Sequence, residues 1–195
     1  MRKSQIRRKT NETEILCKFN PDGSGIFKIN TGIGFFDHML GLMVFHGKID
    51  MEISAKGDLC IDDHHTVEDT GIVIGTALNT IVENDNYINR FGYAVIPMDE
   101  VLCRTVIDIS GRSFCRVNAF FKRSTINGFS TECVNEFFLA LTREAKISLH
   151  IDILKRGNTH HEIEAVFKSF GIALKNSLIK SDMKNPISTK QIQEK

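Results

Sequence analysis

The chain has 195 residues, 42% hydrophobic and 25% charged, and its 25 Lys and Arg against 24 Asp and Glu leave a formal charge of +1. That length suffices for one sizeable domain or two small ones, each able to bury a core, and the composition excludes a disordered chain, a collagen or a coiled coil. The single basic run, Arg2, Lys3, Arg7, Arg8 and Lys9, reads as a solvated edge and not as the broad basic face that nucleic acid requires.

In chain order, residues 14–19 are β-rich, turn through Asn20, Pro21, Asp22, Gly23, Ser24 and Gly25, and return along 26–29. Residues 35–46 have the apolar density of a largely buried helix, with Gly47 as its stop. Residues 48–54 alternate with period two, a strand with one buried face. A helix follows over 67–82, with Asp62 or Asp63 as N-cap, and 84–89 is a junction. The order then repeats: strand 101–109, turn Ser110, Gly111 and Arg112, strand 113–121, helix 133–141, strand 147–153, and helix 163–179 behind Asn158 or Thr159.

Two halves of this kind, near 1–85 and 90–180 with a tail at 181–195, predict a single α+β domain. Two pseudo-symmetric strand–strand–helix–strand–helix repeats would form two sheets with the helices packed between them. No apolar stretch approaches the roughly 20 residues of a membrane span, and the N-terminus lacks a signal-peptide core, so a soluble cytoplasmic protein is expected. The five cysteines, Cys17, Cys60, Cys103, Cys115 and Cys133, form no C-x-x-C pair and read as buried small apolar residues in a reducing compartment.

The repeat carries chemistry. His64, His65 and Glu68 spell H-H-x-x-E, and so do His160, His161 and Glu164. On a helix the first His and the Glu share a face, whereas the second His points about 100° away. Each doublet therefore serves two metal sites better than one, and imidazole with carboxylate fits Mn, Fe or Zn. His38 on the first helix has Glu136 as its second-half counterpart, and both are ligand types. His46 either lines the site or favours the helix C-terminus as an imidazolium. His150 reads as an ordinary residue on the polar face of its strand. A ferritin-like di-iron bundle would need four long helices, which the alternating strands oppose.

The chain resembles imidazoleglycerol-phosphate dehydratases over nearly its whole length. The carriers are Arg8 to Thr13, Gly34 to Leu40, Asp62 to Asp69, Pro97 to Glu100, Asp108 to Arg112, His160 to Lys168, and Ser188 to Lys190. The resemblance implies a fold like the second domain of ribosomal protein S5. It also implies two manganese ions per site, sites shared between neighbouring subunits of a 24-mer, and dehydration of imidazoleglycerol phosphate to imidazoleacetol phosphate.

Metal positions carried over are His38, His64, His65, Glu68, His160, His161 and Glu164, with Glu136 added from the repeat. Phosphate positions are Arg90, Arg112, Ser188 and Lys190, and Lys168 joins the substrate contacts. Glu12 matches a substrate-contacting acid or base, and His46, Glu68 and Glu164 are further catalytic candidates. The departing hydroxyl is on the carbon attached to the ring, and the hydrogen on the next carbon is not acidic. A ring bound as imidazolate could expel the hydroxide to a diazafulvene, after which that hydrogen becomes acidic.

Glu136 stands where the family has a histidine ligand, and Gly41–Leu42 where an Asp–Gln pair is usual. A relative with reduced or altered activity, whose metals mainly support assembly, is the alternative.

Overall fold

The computed structural model describes residues 2–84 and 87–181. Strands β1 (Ser4–Lys9), β2 (Thr13–Asn20), β3 (Phe27–Asn30) and β4 (Asp50–Gly57) form one sheet in the order β1-β2-β4-β3. Helix α1 (Gly34–Gly47) links β3 to β4, and α2 (His64–Glu83) follows β4.

The second half repeats this with β5 (Phe91–Met98), β6 (Val101–Asp108), β7 (Phe114–Asn118), a short hairpin of β8 (Thr125–Ile126) and β9 (Phe129–Ser130), α3 (Cys133–Ala145), β10 (Ser148–Lys155) and α4 (Thr159–Leu178). Its sheet order is β5-β6-β10-β7, the first sheet's order in matching positions. In each sheet one pair is parallel, β3 with β4 and β7 with β10, and the other pairs are antiparallel. The expected α+β architecture of two sheets with helices between them is therefore what the chain adopts.

The helices cross between halves. α1 packs on α4, and α2 on α3. These crossings are close because each carries glycines: a Cβ on Gly171 would collide with the Met43 carbonyl, and one on Gly71 would lie 2.6 Å from the Phe137 carbonyl. The expectation that Gly47 ends α1 by its backbone freedom is corrected here. Lys48 takes the left-handed conformation, at φ 51°, and Gly47 is small because a Cβ there would stand 2.8 Å from the Gly171 carbonyl.

Between the helices lies a phenylalanine cluster. Phe36, Phe137, Phe138, Phe167 and Phe170 are fully buried, with Phe36 edge-on to Phe137 at 5.4 Å and Phe137 stacked on Phe167 at 5.5 Å. Phe36, two residues before His38, meets Phe167, about two turns past His160, and so holds α1 and α4 in register beside the histidines.

Each four-stranded sheet has one strand more than the pattern reveals, β1 in the first and β5 in the second, and the second half adds the β8–β9 hairpin. β1 is an edge strand that shows Arg7 and Lys9 outward, while Arg8, on its covered face, pairs with the buried Asp69 on α2, Nε to Oδ1 at 3.0 Å. The basic run is thus partly structural. β5 inverts the usual signal, with small Gly92 and Ala94 buried and Phe91, Tyr93 and Val95 exposed. The β8–β9 hairpin turns at Asn127 and Gly128, both with positive φ, 47° and 77°.

Candidate active site

The two doublet helices start alike. Asn158 accepts a hydrogen bond from the His160 backbone N–H at 2.8 Å, and Asp62 does the same for His64 at 2.9 Å. Asp63 instead accepts from the Ser130 N–H at 2.6 Å, tying the first turn of α2 to the β8–β9 hairpin.

Starting alike, α2 and α4 present their ligand-type residues the same way. His160 Nε2 lies 3.3 Å from Glu164 Oε2, and His64 Nε2 lies 3.9 Å from Glu68 Oε2. The second His of each doublet turns away, its ring nearly perpendicular to the first, at 88° for His64–His65 and 79° for His160–His161.

His38 of α1 joins His160 and Glu164, and donor atoms from all three lie within 4.8 Å of one another. Phe35 meets the His160 ring edge-on at 5.2 Å and limits its rotation. Burial pushes the Glu164 carboxyl up, but the Lys168 ammonium, which is hydrogen-bonded to it, and the nearby His160 and His38 outweigh that and hold it below the usual carboxylate range. Lys168 is itself mostly buried and also meets Met98 Sδ at 3.5 Å.

His46, two turns along α1 from His38, is held below its ordinary pKa by burial and by the charges of Lys168 and Lys48. The Glu164 carboxylate acts on it in the opposite sense but does not outweigh burial and the two cations, a setting that favours the neutral ring.

The pseudo-equivalent group is looser. His64, Glu68 and Glu136 do not converge as tightly; Glu68 and Glu136 instead share a cavity of about 390 Å³ with Arg143, Ser113 and Leu139. Arg143 Nη2 is 3.9 Å from Glu68 Oε1.

On the other faces, His65 Nδ1 is 3.0 Å from Asp58 Oδ2, and its Nε2 is 4.0 Å from Glu12 Oε1. His161 Nδ1 is 3.0 Å from Glu100 Oε2 and 3.9 Å from Asp99. The Asp58 hydrogen bond raises the His65 pKa, and the Glu100 hydrogen bond raises that of His161. Glu100, bonded by the Asn158 N–H and by His161, is pulled down to about 2.

Asp58, Asp99, Glu100 and Arg143 were assigned no role from sequence. Asp58 and Glu100 sit in turns whose side chains meet the histidines only through the fold, and no spacing signals that.

Arg90 and Arg112 lie elsewhere. Arg90, at φ 68°, forks onto Asp108 with Nε–Oδ1 at 2.7 Å and Nη2–Oδ2 at 3.2 Å. The Ile109 N–H bonds the Arg90 carbonyl, placing Arg90 beside the turn that carries Arg112. Glu100 stands at the opposite end of β6, about 24 Å away by strand rise. Ser188 and Lys190 lie outside the described residues.

A doubled split-sheet fold with matching His–Glu helices defines a two-repeat α+β enzyme. A sequence profile of imidazoleglycerol-phosphate dehydratases matches residues 31–174. A dehydratase of that name from Clostridium acetobutylicum is 50% identical over 186 residues, 95% of this chain and 94% of the relative. One from Prosthecochloris aestuarii is 46% identical over 177 residues, 91% of this chain and 88% of the relative.

The crystal structure of the Staphylococcus aureus enzyme superposes with a TM-score of 0.83 at 41% identity, covering 92% of this chain and 99% of that one. The Pyrococcus furiosus structure gives 0.82 at 36% identity, covering 95% and 98%. The chain belongs to the imidazoleglycerol-phosphate dehydratase family, the hydro-lyases that act in histidine biosynthesis. No helix among the described residues is long and apolar enough to cross a membrane.

Proposed function

We propose that the chain dehydrates imidazoleglycerol phosphate to imidazoleacetol phosphate with manganese as its metal, in sites completed by neighbouring subunits. The observation that carries the metal reading is the meeting of His38, His160 and Glu164 within 4.8 Å, ligand types drawn from both halves of the repeat. Two imidazoles and a carboxylate without thiolate suit a hard or borderline divalent ion such as manganese. His38, His160 and Glu164 would hold one ion, His64, Glu68 and Glu136 present the matching set, and His65 and His161 face outward for ions shared with other subunits. Bound there, manganese supplies Lewis acidity that draws electron density from the substrate's imidazole ring.

The chain's own groups supply the rest. Glu12 stands 4.0 Å from His65 Nε2, exposed at the β1–β2 turn, where its carboxyl can protonate the leaving hydroxyl or take the carbon-bound proton. Its other close partner is local, with its backbone N–H on Thr10 Oγ1 at 3.1 Å. Arg90 and Arg112 are the phosphate anchors, with Ser188 and Lys190 of the tail as further phosphate contacts. Lys168 balances Glu164, and burial together with the charge of Lys168 favours His46 as a neutral ring.

The separation of Arg90 and Arg112 from Glu100 and His161 supports the shared-site reading. About 24 Å along β6 is farther than one small phosphorylated imidazole can reach, so a phosphate anchor for that end comes from another copy. Exposed Phe91, Tyr93, Val95, Val106 and Phe114 on the second sheet offer apolar surface for such a homo-oligomer, which we read as the family's 24-mer.

The test is turnover by metal-stripped protein reloaded with manganese, read as imidazoleacetol phosphate. Manganese-dependent product is the expected result. Protein that binds manganese and assembles without turnover would shift the reading to a relative in which the metals mainly support assembly. The loose Glu68–Glu136 group favours that second reading.

A further inference from the structure

Asp58 and Glu100 perform the same task from different places. Each carboxylate accepts from Nδ1 of a doublet histidine at 3.0 Å, Asp58 from His65 and Glu100 from His161. Yet they are not counterparts in the repeat. Glu100 directly precedes β6 as Glu12 precedes β2, so the counterpart of Glu100 is Glu12. Asp58 directly follows β4 as Arg156 follows β10, and Arg156 turns instead to the buried Glu162, with Nε–Oε1 at 3.2 Å and Nη2–Oε2 at 3.1 Å. In the second half an arginine occupies the post-strand position and the turn glutamate holds the ring. In the first half the post-strand aspartate holds the ring, and the turn glutamate has no such duty.

Asp58 has a second unusual feature. Its Oδ1 is buried without a hydrogen-bond partner, as is Thr66 Oγ1, and Thr66 packs where a Cβ on Gly57 would fall. Both atoms thus lie where β4 leaves its sheet past the first turn of α2. Folding leaves such an atom unpaired only at a cost, and it marks a residue kept for something other than local stability. Its backbone is also fixed, because the Ile61 N–H bonds the Asp58 carbonyl at 2.8 Å.

We propose that Asp58 is a positioning residue: by holding His65 Nδ1 it aims Nε2 into the site and leaves Glu12 free of the structural duty that Glu100 carries in the other half. A carboxylate behind an imidazole fixes the ring's tautomer and orientation and raises its basicity toward a metal ion. The repeat thereby produces one locked glutamate, Glu100, and one available glutamate, Glu12, from the same position. This rests on the reading of Glu12 as the acid or base, and the experiment separates the two.

Manganese(II) is titrated by calorimetry into metal-stripped full-length protein, and kcat and KM are then measured at saturating manganese. Asp58→Asn keeps the side-chain shape, so the fold should stand. It should weaken the tightest manganese binding about tenfold and lower kcat by a similar factor, with KM within about twofold of the parent. Asp58→Leu, which removes the acceptor outright, should reach about 100-fold in affinity.

Both variants binding manganese and turning over within about twofold of the parent would overturn the proposal. So would a fall in melting temperature with affinity and kcat unchanged, since that is a purely structural role. Glu12→Gln is the separating control. If it leaves kcat intact, the Glu12 assignment fails, and the manganese titration still decides on Asp58.

Discussion

Arg143 reaches from α3 to within 3.9 Å of Glu68 on α2, so the second half-site brings its cation from a neighbouring helix. In the first half-site the cation is Lys168, one turn along α4 from the Glu164 it pairs with. The position on α2 that matches Lys168 is Ile72, and the position on α1 that matches Arg143 is Phe45. Each half-site thus carries one cation, from non-equivalent positions. The second also carries one carboxylate more, since Glu136 stands opposite Glu68 where His38 stands in the first.

Arg143→Ala should therefore act on metal binding and hardly on stability. The Arg143–Glu68 pair is half-exposed and worth about 0–1 kcal/mol. If Glu68 is a metal ligand as proposed, removing a positive charge near 4 Å from its carboxylate should tighten manganese binding about fivefold. Calorimetry and urea unfolding of the same variant check both halves of the statement. Unchanged affinity would mean that the guanidinium does not compete for Glu68.

Glu136→His tests the extra carboxylate directly. If the second anion weakens the hold on an electron-rich ring, the substitution should raise kcat at saturating manganese, and a steady-state assay reads it. A fall in kcat would mean that the cavity, Arg143 included, has adapted to glutamate.

How much of this was legible in the sequence depends on how far each signal reaches along the chain. The His–Glu pairs on α2 and α4 follow from the helical period alone, and the structure places them so. The joining of His38 to His160 and Glu164 does not, because it needs α1 of one half to cross α4 of the other, and the small residues at that crossing resemble any glycines. β1 and β5 were missed because an edge strand shows charge and β5 shows its large residues to solvent. Asp58 and Glu100 carry no sequence signal, because contacts made from turns have no period.

Gly171→Ala should be severely destabilising. The added methyl would meet the Met43 backbone carbonyl on α1, which cannot swing aside as a side chain can. A cost of about 3 kcal/mol or more follows for an overpacked crossing, together with loss of the His38–His160–Glu164 group. A melting curve and manganese titration report the two effects, and a variant with parental melting temperature would show that the helices can separate freely.

The Glu100–His161 pair should give metal-stripped protein a pH-dependent share of its stability. The Glu100 pKa falls from 4.5 to about 2 on folding, chiefly through the Asn158 N–H and then His161. A depressed carboxyl stabilises above its unfolded pKa, and the contribution is lost as pH falls from about 4.5 through about 2. The His161 pKa is raised above 6.5 chiefly by the Glu100 hydrogen bond, so that part is full below 6.5 and is lost as pH rises through the higher folded value. The two windows overlap between pH 4.5 and 6.5. Urea unfolding of parent and Glu100→Gln at pH 3, 5.5 and 9 should show the largest difference at 5.5. The difference at 9 should be smaller but not zero, because the Asn158 N–H still bonds the carboxylate when His161 is neutral. A difference at pH 9 as large as that at pH 5.5 would show that His161 and Glu100 do not share a proton-linked contact in solution.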